Sequence, residues 1–250
     1  MKGAPHKAKS KKGIKLGQAF WQIGSLTSVS RVVGFVRDIT FASFLGAGPA
    51  ADAFLVALKL PNMFRRLTAE GAMTNAFLPS FAKLRTAKGR VAAIGLAAEA
   101  QIMLIVVLFG IVILAEIFMP QVLMVLAPGF AETPERFAAA VDLGRVTMPY
   151  LPMISVVALW IAIANAHDRF MAGAAAPILA NLCFIAGAIS IPIFADDFGV
   201  FKALPIAIGL LAAGLLQLTF LFIVLRRLSA LPKLQWPHIS SAGRSMWRNF

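Results

Sequence analysis

The sequence has little charge, and negative charge is the scarcest kind. Its 250 residues include 11 Asp and Glu against 24 Lys and Arg, and only 14% are charged. Soluble domains carry about 25% charged residues, so this composition excludes an ordinary soluble protein. Hydrophobic residues make up 59% of the chain and the mean hydropathy is +0.80, which indicates an integral membrane protein. The net charge of +13 does not indicate nucleic-acid binding, because the basic residues form short runs without an accompanying aromatic-basic surface motif.

Patterns typical of enzymes and metal sites are also missing. Cys183 is the only cysteine, which excludes an intrachain disulfide. His6, His167 and His238 are isolated from one another, and no metal-ligand spacing, GxSxG motif, phosphate-binding glycine loop or Ser/His/Asp set accompanies them. We therefore expect a protein that is not an enzyme and that has neither a metal site nor a cofactor.

Long apolar segments occupy most of the chain. A helix needs about 20 residues to cross the hydrocarbon core of a bilayer, and six segments are long enough. The sequence predicts an all-α integral membrane protein with a six-helix transmembrane bundle over residues 17–228, a basic cytoplasmic tail over 1–16 and a cytoplasmic linker over 229–250. The predicted spans are residues 20–45, 51–80, 91–118, 138–165, 172–194 and 203–225.

The loop charges predict the orientation of this bundle. Most Lys and Arg residues lie in the N-terminal tail, in the connections at 83–90 and 167–169, and after residue 225. The alternate connections contain Arg136 as their only basic residue. Because basic loops stay in the cytoplasm, we expect both ends of the chain on the cytoplasmic side.

The first two predicted spans contain five cationic side chains, which is unusual inside a membrane. A charged side chain near the bilayer centre costs about 3 kcal/mol on insertion scales and normally faces a bundle interior or a water-filled path. The cations are Arg31, Arg37, Lys59, Arg65 and Arg66, and the acids near them are Asp38, Asp52 and Glu70. Two interpretations remain open: ion pairs that only fix helix packing, or a binding site for an anionic substrate, which the surplus of positive charge favours.

Helical spacing refines these two interpretations. Arg31 and Asp38 share one face of the first helix, and Arg37 with Asp38 is the pair that best fits a structural role. In the second span, one polar stripe contains Asp52, Lys59, Asn62, Arg66 and Glu70. The guanidinium group forms bidentate hydrogen bonds with phosphate, so converging arginines match a diphosphate-linked substrate.

Several motifs resemble one known family. They are SRVVGFVRD at residues 30–38, FLGAGPAADAF at 44–54, LPNMFRR at 60–66 and AEGA at 69–72, followed by NAHDRF at 165–170, Pro177, Asn181 and GLLQ at 214–217. These residues resemble the MurJ (MviN) lipid II flippases of the multidrug/oligosaccharidyl-lipid/polysaccharide exporter superfamily. The resemblance extends over nearly the whole chain after the basic tail.

The resemblance implies a fold and an activity. Such flippases have fourteen helices, with two six-helix lobes around a cationic cavity, and this chain is similar to the N-terminal lobe. They move undecaprenyl-diphosphate-linked disaccharide-pentapeptide from the cytoplasmic to the periplasmic leaflet by alternating access, for cell-wall synthesis. The resemblance implies substrate contacts for Arg31, Arg37 and Arg65, and the polar stripe of the second span predicts further substrate contacts for Asn62 and Lys59. The resemblance also implies ion-pair or gating roles for Asp38 and Asp52, and the same polar stripe predicts such roles for Arg66 and Glu70.

The resemblance further implies a multi-pass protein of the bacterial inner membrane. Its expected partners are lipid II, membrane lipids and proteins of peptidoglycan synthesis. The family depends on ion coupling or on membrane potential, and this sequence shows no coupling site. Because the family continues past the position of Phe250, we expect either a fragment or a truncated product. An exporter of another diphosphate-linked oligosaccharide, such as O-antigen units, and a non-transporting membrane scaffold remain alternatives.

Overall fold

The computed structural model of the protein describes residues 8–66, 76–234, 236, 240 and 243–244. Every regular element in these residues is helical, so the predicted all-α class is confirmed. The helices are α1 (Ala8–Phe44), α2 (Pro49–Arg65), α3 (Leu78–Ile117), α4 (Met119–Leu126), α5 (Pro134–Thr147), α6 (Tyr150–Ala166), α7 (Phe170–Ile189), α8 (Ile191–Phe198) and α9 (Leu204–Arg227). Short 3₁₀ turns lie at Pro128–Glu132 and Gly199–Ala203.

Four helical stretches in the described residues are long and apolar enough to cross a membrane: Leu78–Ile117, Pro134–Ala166, Phe170–Phe194 and Phe201–Arg227. They correspond to the last four predicted spans. The first two predicted spans are helical in α1 and in α2, and both contain the charged residues described above. That α1 and α2 also cross the membrane remains a prediction, since part of the second span, residues 67–75, lies outside the described residues.

Proline and glycine mark the ends and the breaks of these helices. Pro49 occupies the first turn of α2, where a missing N–H is tolerated. In α3, Gly89 has φ 82° and ψ −178°, a conformation accessible mainly to glycine, and it kinks the helix there. The connection predicted at 83–90 is therefore mostly an extension of α3. Helix α9 ends in a Schellman motif, in which Ser229 has φ 51° and the Ala230 N–H donates to the Leu225 carbonyl.

Two arginines near the predicted cytoplasmic end of α3 bind the ends of other helices. Arg85 donates to the carbonyl of Ala166, the last residue of α6. Arg90 donates to the carbonyl of Leu228, the residue that follows α9. Carbonyl groups at a helix C-terminus have no intrahelical partner and carry partial negative charge. These two arginines therefore link α3 to the C-terminal ends of α6 and α9.

Helix α7 packs between α1 and α9, and its contact with α9 is very close. A Cβ on Gly187 would lie 2.8 Å from the Pro205 carbonyl oxygen, and a Cβ on Gly209 would lie 2.8 Å from the Cys183 carbonyl oxygen. Small residues let helix backbones approach in this way, which is a common mode of packing in membranes. The contact fixes the position of α7 relative to α9, and both helices contribute to the wall of the cavity described next.

Candidate substrate cavity

A cavity of about 310 Å³ lies where α1, α2, α6, α7 and α9 meet. Its polar lining comes from Arg37, Asp38, Asn62, Arg65 and Tyr150. Its apolar lining consists of Phe41, Phe54, Leu55, Leu58, Phe184 and Leu210. The cavity thus combines several charged groups with mostly hydrophobic walls, which is typical of a ligand site.

Arg37 is held in one orientation by three side chains. Its Nε and Nη2 donate to Oδ1 of Asp38 at 3.0 and 2.7 Å, and its Nη1 donates to Oδ1 of Asn181 at 3.0 Å. The guanidinium carbon lies 5.9 Å from the centre of the Phe184 ring, within cation–π range. The ion pair with Asp38 that the sequence indicated is therefore present, and it orients Arg37 as well as balancing its charge.

Asn181 and Tyr150 belong to this site, although the sequence predicted a site role for neither of them. Asn181 is only 8% exposed, and its amide Nδ2 lies 3.5 Å from the Ser30 carbonyl oxygen, so it connects α7 to α1. Tyr150, the only tyrosine of the chain, is 8% exposed and lies at the start of α6. A lone amide inside an apolar span is the signal that could have identified Asn181, since such groups are rare in a membrane without a partner or a function.

The second helix contributes Asn62 and Arg65 to the same cavity. They are three residues apart near the end of α2, so they lie on neighbouring positions of one helix face. Among the described residues that line the cavity, two guanidinium groups face one carboxylate, that of Asp38. The lining therefore has a formal charge of +1, in agreement with the positive surplus seen in the sequence.

The other predicted site residues lie elsewhere. Asp52 pairs with Arg136 at 2.5 Å, and the guanidinium of Arg136 lies 4.0 Å from the centre of the Phe130 ring. This pair joins α2 to α5, at the end of the bundle opposite Arg85 and Arg90. Asp52 thus forms an ion pair, as the sequence suggested, but with the basic residue of a connection and not with the cations of the first two spans.

Arg31, Lys59 and Arg66 are exposed and do not line the cavity. Glu70 lies outside the described residues. In the part of the chain that the structure describes, no group of three His, Cys, Asp or Glu side chains is arranged to hold a metal ion. The cavity around Arg37 and Arg65 thus contains four of the nine predicted site residues.

Comparisons with known proteins agree on one family. A family model described as "Lipid II flippase MurJ" matches residues 41–250. A "Probable lipid II flippase MurJ" from Rhizobium meliloti (strain 1021) is 37% identical over 214 residues, which cover 85% of this chain and 40% of the relative. Another from Rickettsia prowazekii (strain Madrid E) is 36% identical over 204 residues, or 81% of this chain and 39% of the relative. The chain thus spans about 40% of the length of these relatives.

A solved structure shows the same fold. It is titled "Lipid II flippase MurJ, inward closed conformation" and matches with a TM-score of 0.68 at 20% sequence identity, covering 91% of this chain and 46% of that chain. The resemblance drawn from the sequence motifs is therefore confirmed by an independent family match, by relatives above 30% identity and by the fold. This chain is a multi-pass bacterial membrane protein, and it belongs to the MurJ family of lipid II flippases, which are transporters and not enzymes.

Proposed function

We propose that this chain forms one lobe of a flippase that moves lipid II from the cytoplasmic to the periplasmic leaflet by alternating access. The observation that carries the proposal is the cavity between the helices, in which Arg37 and Arg65 outnumber the single carboxylate. A net positive, partly apolar cavity favours an anionic group attached to a lipid. The family match supports the same substrate class.

The dimensions of the cavity suggest which part of the lipid it holds. A volume of about 310 Å³ lies at the lower end of the range for small-molecule sites. It accommodates a diphosphate group, but not a disaccharide with its peptide. Arginine remains charged and presents a planar set of donors that matches phosphate oxygens. We therefore assign the diphosphate to Arg37 and Arg65, with the Asn62 amide as an additional donor.

The remaining charged residues take secondary roles in this proposal. Asp38 holds Arg37 in place and can release it when phosphate competes for the guanidinium. Arg31 and Lys59 are exposed on the same two helices and contact parts of the head group outside the cavity. The Asp52–Arg136 pair acts as a gate at the outer end. The ion-pair role predicted for Arg66 and Glu70 stays a prediction, and Glu70 lies outside the described residues.

We further propose that the protein resides in the cytoplasmic membrane with its N-terminus in the cytoplasm. The basic connections support this orientation, and two residues of the 83–90 connection, Arg85 and Arg90, both bind C-terminal ends of helices on one side of the bundle. Lipid II and membrane lipids are the proposed partners. Proteins of peptidoglycan synthesis are proposed as partners on the basis of the resemblance alone.

The proposal is tested in the full-length protein by replacing Arg65 with Ala. Cells depleted of their own lipid II flippase should fail to grow on the Arg65→Ala variant, and reconstituted vesicles should lose most of the transport of fluorescent lipid II. The matched control is Arg145→Ala, because the Arg145 side chain is 45% exposed and pairs only loosely, at 3.8 Å, with Asp142 on its own helix. The control should support growth.

Three results would contradict the proposal. Normal growth on Arg65→Ala at unchanged expression would favour a membrane scaffold. An equal loss of growth and of lipid II transport with Arg145→Ala would show that removing any positive charge from the bundle has this effect. Transport of an O-antigen-type lipid in place of lipid II would assign the protein to a different exporter.

A further inference from the structure

Glu99 is a buried carboxylate that has no place in the cavity described above. It lies in α3, where it is 1% exposed, between the buried residues Ala98 and Ala100. An ionised group costs several kcal/mol to bury unless it is paired or hydrogen-bonded. An intramembrane carboxylate at this position therefore requires partners.

Both oxygens of Glu99 accept hydrogen bonds from one residue of the segment that follows α9. The backbone N–H of Ser240 donates to Oε1 at 2.9 Å, and the hydroxyl of Ser240 donates to Oε2 at 2.7 Å. Each oxygen of the Glu99 carboxylate thus has a partner in a residue 141 positions away in the chain. The link joins the third helix to the chain as it leaves the sixth predicted span.

Ser240 is also the first residue of a helical turn. Its hydroxyl oxygen accepts the backbone N–H of Gly243 at 3.0 Å, and its carbonyl accepts the backbone N–H of Arg244 at 2.8 Å. These are the bonds of a helix N-cap, in which the side chain of the capping residue accepts the N–H three positions later. In the complete capping box, a Glu at that third position reaches back to the N–H of the capping residue.

Here the third position is Gly243, which has no side chain to reach back. A Cβ placed on Gly243 would lie 1.7 Å from Oε1 of Glu99. The carboxylate of Glu99 therefore occupies the space of the missing side chain and accepts the bond that this side chain would have accepted. The partial positive charge at a helix N-terminus also favours an anion at this point.

We propose that Glu99 completes the capping box of Ser240 from a distant part of the chain. Glu99 is then a positioning residue, which fixes Ser240 as the first residue of this helical turn. Arg90, also on α3, binds the Leu228 carbonyl at the other end of the same segment. Helix α3 thus binds both Leu228 and Ser240 of the chain that follows α9. This inference goes beyond the proposed flippase function, since it holds whichever lipid is transported.

Hydrogen exchange at residues 240–244 of the purified protein tests the inference, because the amides of Ser240, Gly243 and Arg244 all report on this cap. Glu99→Ala should accelerate their exchange about tenfold, the effect of losing one helix cap. The combination of Glu99→Ala with Gly243→Glu should restore slow exchange, since the new side chain can form the local capping box. The control is Glu116→Ala, which removes a carboxylate from the C-terminal end of α3 and should leave the exchange at residues 240–244 unchanged.

Gly243→Glu alone provides a test that leaves the sequence of the membrane helices unchanged. With Glu99 in place, the added side chain meets an occupied, like-charged site, and exchange should accelerate. If that single change slows exchange instead, the space beside Ser240 is empty and the inference is wrong. It is also wrong if the double variant exchanges as fast as Glu99→Ala, or if Glu99→Ala has no effect. None of these measurements uses lipid II, so they are independent of the proposed transport activity.

Discussion

Replacing Gly209 with Ala tests whether the close contact between α7 and α9 shapes the cavity. The added Cβ would lie 2.8 Å from the backbone oxygen of Cys183, whereas an ordinary carbon–oxygen contact is longer by about 0.6 Å. Because the obstacle is backbone and not a flexible side chain, α7 must move away from α9. Overpacking of this kind costs about 1–3 kcal/mol.

The helix propensity of alanine offsets part of that cost. Alanine is about 1 kcal/mol better than glycine in a helix interior, so the net loss of stability is expected to be up to about 2 kcal/mol. For a chain of this size, each kcal/mol lowers Tm by about 2–4 °C. Thermal unfolding of the purified protein in detergent should therefore show a Tm lower by a few degrees.

Gly110 provides the matched control for this measurement. It lies inside α3, and nothing lies within 4 Å of a Cβ placed there. Gly110→Ala should therefore leave Tm unchanged or raise it slightly. Should Gly209→Ala prove as stable as the original protein, the close α7–α9 contact does not constrain the fold.

The movement of α7 should also displace Asn181 and Phe184 from Arg37, so transport should decrease together with Tm.

Two further predictions concern individual polar contacts. Asn181→Leu removes the acceptor of Arg37 Nη1, so the guanidinium loses one of its restraints and lipid II transport in vesicles should fall several-fold without loss of the folded protein; unchanged transport would show that Asp38 alone orients Arg37. A double-mutant cycle of Asp52→Asn and Arg136→Gln, followed by thermal unfolding, should give a coupling energy below about 1 kcal/mol, because the two side chains are 50% and 29% exposed and solvent weakens such pairs. A coupling above about 2 kcal/mol would contradict this prediction.

The sequence was sufficient for the fold class and for the family. Apolar segments long enough to cross a bilayer admit few structures other than helices, because every backbone polar group must be satisfied within the segment. The four most apolar predicted spans correspond to helical stretches of the structure. The motifs at residues 30–38 and 60–66 identified the family that the comparisons show. Fold class and family could be predicted because both depend on residues that are near one another in the sequence, and not on tertiary contacts.

The sequence was less informative about the site, because helical periodicity does not reveal which helices become neighbours. It placed Arg31 and Asp38 on one face, whereas the cavity contains Arg37 with Asp38 and excludes Arg31. The partner of Asp52 proved to be Arg136, a residue 84 positions away. The roles of Asn181 and Tyr150 depend on how α7 and α6 pack against α1 and α2. That packing cannot be predicted from the sequence of any one helix.

The sequence by itself determined that this protein is a helical membrane protein with surplus positive charge in its first two helices. Both properties follow from composition and from the cost of placing charge in a bilayer. Only the tertiary structure decided that Arg37 and Arg65 share one cavity and that Glu99 meets Ser240 across 141 residues. Such contacts arise when helices distant in the chain pack together, and the geometry of that packing decides which polar groups find partners.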